Sequence, residues 1–234
     1  MDAPLVLTDA KPGYRVLTLN RPQRLNAFTE AMHDALDAAI SDAERDRACG
    51  ALLITGAGRA FSSGQDLAER IGPDGAVIVP GEALERYYNP LVRKLRDLPF
   101  PVVAAVNGAA AGAGCNIALA CDIVLAARPA TFTQAFARIG LIPDSGGTWR
   151  LPRLVGRARA RGLALTAEPL SAETAESWGL IWKCVEDNDL LPQAHALCAR
   201  FAAAPTHALA LTKQALDAAE ENDLAAQLDL ERRL

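Results

Sequence analysis

The chain has 234 residues, of which 50% are hydrophobic and 22% are charged, and its formal net charge is −4. That length supports one large core with a small appended element, and the composition is that of an ordinary globular protein. The negative charge excludes a whole-molecule attraction to nucleic acid or to an anionic membrane. The five cysteines are scattered without a Cys-x-x-Cys pair, so neither a disulfide framework nor a zinc site is indicated, and we expect no metal.

The sequence carries no sign of export or of membrane insertion. Its first ten residues, "MDAPLVLTDA", lack the basic region and the long apolar run of a secretory signal. The most apolar stretch, "FPVVAAVNGAAAGAGCNIALACDIVLAA", is interrupted by proline, asparagine and aspartate, whereas a membrane span needs about 20 uninterrupted apolar residues. We therefore expect a cytoplasmic protein with reduced cysteines.

Strands and helices alternate along the predicted chain. Thr29 is a predicted N-cap, because a helical apolar spacing begins directly after it. The predicted elements are, in order, the strand "YRVLTLN", the helix "EAMHDALDAAISDAERD", the strand "CGALLITG", the helix "ALERYYNPLVRKLRDL", the strand "PVVAAVNG", the helix "GAGCNIALAC", the strand "DIVLAA" and the helices "RARARGLALT" and "SAETAESWGL". The segment "RIGPDGAVIVPGEA" is predicted to be a mobile loop, because glycines and prolines crowd into it.

This rhythm predicts an α/β fold in which helices connect the strands of a sheet. From "SAETAESWG" onward the apolar pattern is helical, apart from the short segment "IWKCVED". We expect an α/β core over residues 1–199 and a helical segment over residues 200–234 that packs on the core or extends from it.

Several common kinds of site find no support in the residues. His33, His195 and His207 stand far apart in helical contexts, which indicates surface residues and neither a metal site nor a Ser-His-Asp triad. "GAAAGAG" after a strand is a weak match to a dinucleotide fingerprint, and no acidic residue ends a strand about 20 residues later.

Two small-residue loops follow buried strands, and they are better candidates. "FSSGQDL" follows "ALLITG", and "NGAAAGAG" follows "PVVAAV" and runs into a helix. The start of a helix concentrates N–H groups without acceptors and carries partial positive charge. Two such donors that converge would form an oxyanion hole, which stabilises negative charge on a carbonyl oxygen. The alternative is that the small residues only let the helix and the strands pack closely.

A third candidate is the lone carboxylate in "GLIPDSGGTWRLPRLVG". Asp144 stands there among apolar residues and turn formers. It could be the N-cap of a turn or helix, or it could carry a proton during a reaction. The residues by themselves leave both interpretations open.

Four blocks of this sequence, in order and spacing, resemble the enoyl-CoA hydratase/isomerase (crotonase) family from about Leu5 onward. They are "RPQRLNAF", "ITGAGRAFSSGQDL", "PVVAAVNGAAAGAGCNIALACDIVLAA" and "GLIPDSGGTWRLPRLVG". The resemblance implies a ββα-spiral core over residues 1–199, a helical trimerisation region over residues 200–234, and a homotrimer or a dimer of trimers. It also implies a final segment that helps to cover the CoA site and that this sequence does not include.

Within the family, "LERYYNPLVRKL", "LIPDSGGTW", "LPRLVGRARARGLAL" and "LSAETAESWGLIW" are most similar to the ring-epoxide isomerases of aerobic phenylacetate degradation. Those enzymes convert 2-(1,2-epoxy-1,2-dihydrophenyl)acetyl-CoA to oxepin-CoA. The resemblance thus implies an acyl-CoA thioester as the only partner, with CoA as part of the substrate and no separate cofactor, nucleic acid or membrane.

The resemblance also assigns site residues. It implies an oxyanion hole made by the backbone N–H groups of Gln65 and Ala113. The substrate-binding residues that it implies are Ser63, Asp66 and Leu67 beside Gln65 along the CoA groove, Arg24, Leu25 and Ala27 beside the nucleotide, Gly114 in the second loop, and Tyr87, Phe136 and Trp149 around an aromatic acyl pocket.

The acid and base positions depart from those of the hydratases. Hydratases of the family carry two glutamates, and the matching positions here are Asn116 and Phe136. Adding water requires two carboxylates, so their absence argues against simple hydration. Asp144 fills the position at which isomerase branches place a single carboxylate, which implies a proton shuttle acting on a thioester enolate. Asn116 could hydrogen-bond the substrate or face the core.

The sequence therefore favours an isomerase of the ring epoxide. The alternatives are a Δ3,Δ2-enoyl-CoA isomerase or another acyl-CoA enzyme of the family. A non-enzymatic alternative is a module of the same fold that binds acyl-CoA or RNA.

Overall fold

The computed structural model describes residues 3–70 and 81–234. Residues 71–80 of the segment predicted to be a mobile loop lie outside the described residues, so that prediction stays a prediction. The strands are β1 (Val6–Lys11), β2 (Tyr14–Leu19), β3 (Leu52–Gly56), β4 (Ala60–Ser62), β5 (Val102–Val106), β6 (Ala109–Ala111), β7 (Ile123–Ala127), β8 (Thr131–Thr133), β9 (Leu170–Ser171) and β10 (Lys183–Val185). The helices are α1 (Glu30–Arg45), α2 (Gly81–Ala83), α3 (Asn89–Asp97), α4 (Ala113–Ala120), α5 (Gly147–Thr166), α6 (Ala172–Ser177), α7 (Leu190–Ala202), α8 (Thr206–Ala218) and α9 (Leu224–Arg233).

The strands form two sheets. The larger has the order β1-β2-β3-β5-β7-β10, in which only β1 runs antiparallel to its neighbour. The smaller has the order β4-β6-β8-β9, with β9 antiparallel. Each of the pairs β3–β4, β5–β6 and β7–β8 steps from the larger sheet to the smaller one and is followed by a helix. This repeat is the ββα spiral, so the predicted fold is confirmed.

The central strands are buried on both faces, which explains why they read as continuous apolar runs. Leu52 and Ile54 of β3 pack in the core cluster that contains the apolar face of α1. Leu53, which points to the opposite face of the same strand, packs in the cluster that contains the buried side of α7. The sheet therefore holds a helical layer on each side.

The C-terminal helices divide at a different position from the one expected. The predicted boundary at residues 199 and 200 falls within α7, which is continuous to Ala202 and packs against the larger sheet. In contrast, α8 and α9 have no buried residue in the single chain. The helices without a buried residue therefore begin after α7, and α8 still contacts the core through Lys213, which donates to Leu95 O and pairs with Asp122.

Three local predictions were wrong or incomplete. Strand β1 was not predicted, because it is an edge strand in which only Val6 is buried and no alternation is visible. The range of α5 contains two helical stretches separated at Gly156, of which the second matches the predicted helix "RARARGLALT" and the first, which includes Pro152, was not predicted. His33 is not a surface residue, since it lies on the buried face of α1, stacked on Phe28 at 5.0 Å and on Tyr87 at 5.4 Å.

The predicted N-cap of α1 is confirmed. The Thr29 hydroxyl accepts a hydrogen bond from Met32 N at 3.2 Å and so caps α1. Among the described residues, no helix is long and apolar enough to cross a membrane, and no group of His, Cys, Asp and Glu could hold a metal ion. The cytoplasmic location stays a prediction.

Candidate active site

A cavity of about 230 Å³ lies where the loops that follow β4 and β6 meet. It is walled mainly by apolar side chains, which suits an acyl group. The residues predicted from the sequence that line it are Ser63, Gln65, Leu67, Ala113, Phe136 and Asp144. The lining residues that were not predicted are Ala83, Leu84, Tyr88, Gly112, Ala135, Arg138, Ile139 and Leu141.

The first loop, which follows β4, pairs with Phe28 on one side, and the backbone N–H of Gln65 points to the other side. Phe28 N donates to Gly64 O at 2.7 Å, and Asp66 N donates to Phe28 O at 2.8 Å, as in a short parallel bridge. Because N–H groups alternate in direction along an extended backbone, the N–H of Gln65 points to the side opposite Phe28.

The second loop brings the start of α4 to the same place. Gly64 has φ +90°, and a Cβ atom on it would lie 3.2 Å from Ala113 N. Ala113 is the first residue of α4, where the N–H has no acceptor within the helix. The backbone conformation of Gly112, φ 54° and ψ −128°, suits glycine and turns the chain into the helix. The two loops thus meet in space at the cavity.

Small residues at this point also serve packing. A Cβ atom on Gly114 would lie 2.5 Å from Ser62 O, so glycine lets α4 pack directly on β4. Gly114 does not line the cavity. The packing interpretation is therefore confirmed at Gly114, whereas Gly112 and Ala113 line the cavity and the oxyanion hole stays a prediction.

Asp144 is the one carboxylate on the described lining of the cavity. Burial raises its pKa above the ordinary aspartate value, against an opposing effect of the Ser145 hydroxyl, which donates to Oδ1 at 2.8 Å. Among the described residues, no cation forms an ion pair with Asp144. A carboxyl group with a raised pKa in an apolar cleft is suited to moving protons.

The capping interpretation of Asp144 is wrong. Helix α5 has Gly146 as its N-cap, and no side chain caps it. Asp144 meets the helix only through its main chain, because its carbonyl oxygen accepts from Gly147 N at 2.8 Å. The carboxylate therefore remains available to the cavity.

Asn116 does not contact the cavity, although it was predicted as a catalytic residue. It is 1% exposed, and its side-chain NH₂ donates to the carbonyl oxygen of Asp144 at 2.8 Å. Its Oδ1 accepts from Gln134 Nε2 at 2.8 Å. Of the two roles left open, contact with the substrate is not supported, and burial beneath the site is what the structure shows.

Asp66 and its neighbours support the first loop from behind. Burial by itself would raise the pKa of Asp66, but the hydrogen bond from Arg21 at 3.0 Å and the charges of Arg21 and Arg24 lower it. Leu25 O accepts from Ser63 N at 2.9 Å, and Ala27 O accepts from Arg21 at 2.6 Å. None of Arg24, Leu25, Ala27 and Asp66 lines the cavity, and they brace the loop that carries Gln65.

Two aromatic predictions were wrong. Tyr88 lines the cavity and donates to Gln65 Oε1 at 2.6 Å, whereas the hydroxyl of Tyr87 donates to Glu30 at 3.0 Å. The two tyrosines belong to a π-helical turn, Leu84–Tyr88, whose extra residue changes which side chain faces the site. Trp149 lies elsewhere, beneath the guanidinium of Arg153 at 4.1 Å from the ring centre.

Comparison with known proteins places the chain in a family. The enoyl-CoA hydratase/isomerase family model matches residues 9–234. A 1,2-epoxyphenylacetyl-CoA isomerase from Escherichia coli is 53% identical over 97% of this chain and 87% of its own length. A probable enoyl-CoA hydratase from Rhodobacter capsulatus is 50% identical over 95% of this chain and 84% of its own length.

Solved structures agree with the fold. An enoyl-CoA hydratase from Bacillus anthracis has a TM-score of 0.89 and 31% identity, covering 98% of this chain and 88% of that one. A monofunctional enoyl-CoA isomerase from M. smegmatis has a TM-score of 0.83 and 33% identity, covering 97% of this chain and 99% of that one. These relatives are named as enzymes, so the non-enzymatic alternative is not supported. The chain belongs to the enoyl-CoA hydratase/isomerase family, as an enzyme that acts on acyl-CoA.

Proposed function

We propose that this enzyme is an acyl-CoA isomerase that converts 2-(1,2-epoxy-1,2-dihydrophenyl)acetyl-CoA to oxepin-CoA. The observation that carries the proposal is a single carboxylate, Asp144, on the described lining of a cavity that also receives the start of α4. CoA enters as part of the substrate, and the chemistry requires no separate cofactor.

The proposed mechanism needs only these parts. The carboxylate of Asp144 takes a proton from the carbon next to the thioester and later returns it to a ring carbon. The carbon–carbon bond shared by the epoxide and the six-membered ring breaks, so that the oxygen becomes part of a seven-membered ring and nothing is added overall. Between the two steps the thioester oxygen carries negative charge, which the N–H groups of Gln65 and Ala113 stabilise. Hydration would need a second carboxylate to activate water, and the described lining has phenylalanine at position 136.

The form of the cavity supports an aromatic acyl group. Phe136 and Tyr88 line it together with aliphatic side chains, and aromatic rings pack favourably against one another. The name of the Escherichia coli relative supports the ring epoxide in particular. The name of the M. smegmatis enzyme favours a second candidate, Δ3,Δ2-enoyl-CoA isomerisation, which needs the same proton transfer beside a thioester.

We propose that the CoA nucleotide binds near Arg24 and Asp66, behind the loop that follows β4. The side chain of Arg24 is 55% exposed and lies 3.7 Å from Asp66, at the end of the loop that enters the cavity. An exposed guanidinium there is suited to a phosphate of the nucleotide. Contacts so far from the reacting carbon would position the acyl group and so raise turnover as well as affinity.

The substrate assignment is tested by a side-by-side assay. Purified protein is given the ring-epoxide CoA ester and a 3-enoyl-CoA, and products are separated by chromatography. We expect kcat/KM for the epoxide to exceed that for the enoyl ester by about tenfold or more, the order that a few well-fitted pocket contacts supply. The reverse preference would favour Δ3,Δ2-enoyl-CoA isomerisation.

Replacing Asp144 with asparagine tests the proton shuttle. The change keeps the side-chain shape and the hydrogen bond from Ser145 but removes the base. We expect kcat to fall about 10²- to 10⁴-fold, the usual contribution of a general acid–base group, while binding of the CoA ester persists. Turnover near that of the wild type would contradict the role of Asp144.

The same variant has a pH-dependent effect on stability. Because the pKa of Asp144 is raised in the folded state, the folded protein holds this proton more tightly than the unfolded chain does. The contribution of this proton to the stability of the folded state is complete below the pKa of aspartate in the unfolded chain. It is lost as pH rises through the pKa of Asp144 in the folded state. We expect Asp144→Asn to raise the melting temperature at pH 7 and to lose that advantage near pH 3. An equal loss of stability at both pH values would contradict the uncompensated burial of Asp144.

We propose further that the enzyme is a homotrimer or a dimer of trimers. Helices α8 and α9 have no buried residue in the single chain, and Leu216, Leu224 and Leu228 are 67%, 75% and 56% exposed. Exposed apolar side chains in such a number are typical of an interface. We expect light scattering at micromolar concentration to give at least three times the mass of one chain, and Leu228→Glu to lower it. A mass of one chain for the wild type would overturn the proposal.

A further inference from the structure

Asn116 joins the two halves of the candidate site. It lies three residues after Ala113 on α4, and its NH₂ group donates to the carbonyl oxygen of Asp144 at 2.8 Å. The oxyanion donor and the carboxylate belong to segments 31 positions apart in sequence. One short side chain therefore connects the helix that carries the first to the loop that carries the second.

The orientation of the Asn116 amide follows from the Asp144 carbonyl, which can only accept a hydrogen bond. Oδ1 accepts from Gln134 Nε2 at 2.8 Å, which leaves the NH₂ group directed at Asp144. Asn116 is 1% exposed and Gln134 is 2% exposed, so water does not compete for these bonds. Buried hydrogen bonds rigidify the segments that they join, and this network ends at Gln134, whose Oε1 has no partner among the described residues.

Close packing restricts the loop further. A Cβ atom on Gly147 would lie 2.3 Å from Asn116 Nδ2, so only glycine lets the loop lie directly against this amide. Gly147 N also donates to the Asp144 carbonyl, which is thereby held by two donors. Ser145, which directly follows Asp144, has φ +51°. A non-glycine residue adopts this left-handed conformation only where its surroundings impose it.

We propose that Asn116 is a positioning residue that sets the distance between the Asp144 carboxylate and the Ala113 oxyanion donor. It contacts the main chain of Asp144 and not the substrate, so it acts through Asp144. The inference rests on the proposed proton transfer at the same site. The expected effect on rate is that of a misplaced catalytic group, since a displacement of about 1 Å can lower the rate about 10²-fold.

The test is a double-mutant cycle. Asn116→Ala and the volume-matched Asn116→Leu are each made in the wild type and in Asp144→Asn. The readout is exchange of the α-protons of phenylacetyl-CoA into D₂O, followed by NMR, because this thioester has acidic α-protons and an aromatic group but no epoxide. We expect each Asn116 variant to lower kcat for exchange about 10- to 100-fold, with KM within about threefold. In the Asp144→Asn background we expect no further loss, because coupled residues do not act additively.

The control is Ile117→Val. Ile117 is the next residue of α4, is 1% exposed and packs in the core without a contact to Asp144, so its variant is expected to exchange at the wild-type rate. Circular dichroism and melting confirm folding of each variant.

Unchanged kcat in both Asn116 variants would overturn the inference, as would an equal loss in the Asp144→Asn background or the failure of both variants to fold. If the wild type exchanges α-protons but does not convert the epoxide, the substrate assignment fails while Asn116 is still tested. If the wild type does neither, the proposed function and the inference fail together.

Discussion

The close approach of Gly64 to the start of α4 is the constraint on which the site depends. A Cβ atom on Gly64 would lie 2.8 Å from Ala111 O and 3.2 Å from Ala113 N, so two main chains meet where side chains usually intervene. The contact exists because β4 and β6 are neighbours in the smaller sheet, so that the loops after them leave side by side. The ββα repeat thus places the loop after β4 directly against the start of α4.

The two aspartates of the site show how the same fold sets opposite pKa shifts. Asp66 is buried, but it is paired with arginines that lower its pKa, and it braces the first loop. Asp144 is partly buried without an ion-pair partner among the described residues, and its pKa is raised. Burial disfavours the charged form in both, and the presence of a compensating cation decides the sign. Asp66, which pairs with arginines, supports the loop, whereas Asp144, which has no ion-pair partner among the described residues, lines the cavity.

Family membership alone does not separate hydration from isomerisation, because relatives with comparable identity carry both names. The separation depends on two positions. Phe136 lines the cavity where a hydratase has a carboxylate, and Asn116 is turned away from it and engaged by Gln134 and Asp144. Asn116 is thus hydrogen-bonded to Asp144 and Gln134 beneath the cavity.

The sequence by itself determined the family and the central strands, and it singled out the two small-residue loops and Asp144 that line the cavity, because these depend on local patterns of apolar, small and acidic residues. Only the tertiary structure decided which of two adjacent tyrosines faces the cavity, because a π-helical turn changes the helical face and leaves no periodic signal. It likewise decided that Asp144 caps no helix and that Asn116 lies beneath the site. Those outcomes depend on contacts between segments far apart in the chain, such as the 28 positions between Asn116 and Asp144, and no local pattern encodes such contacts.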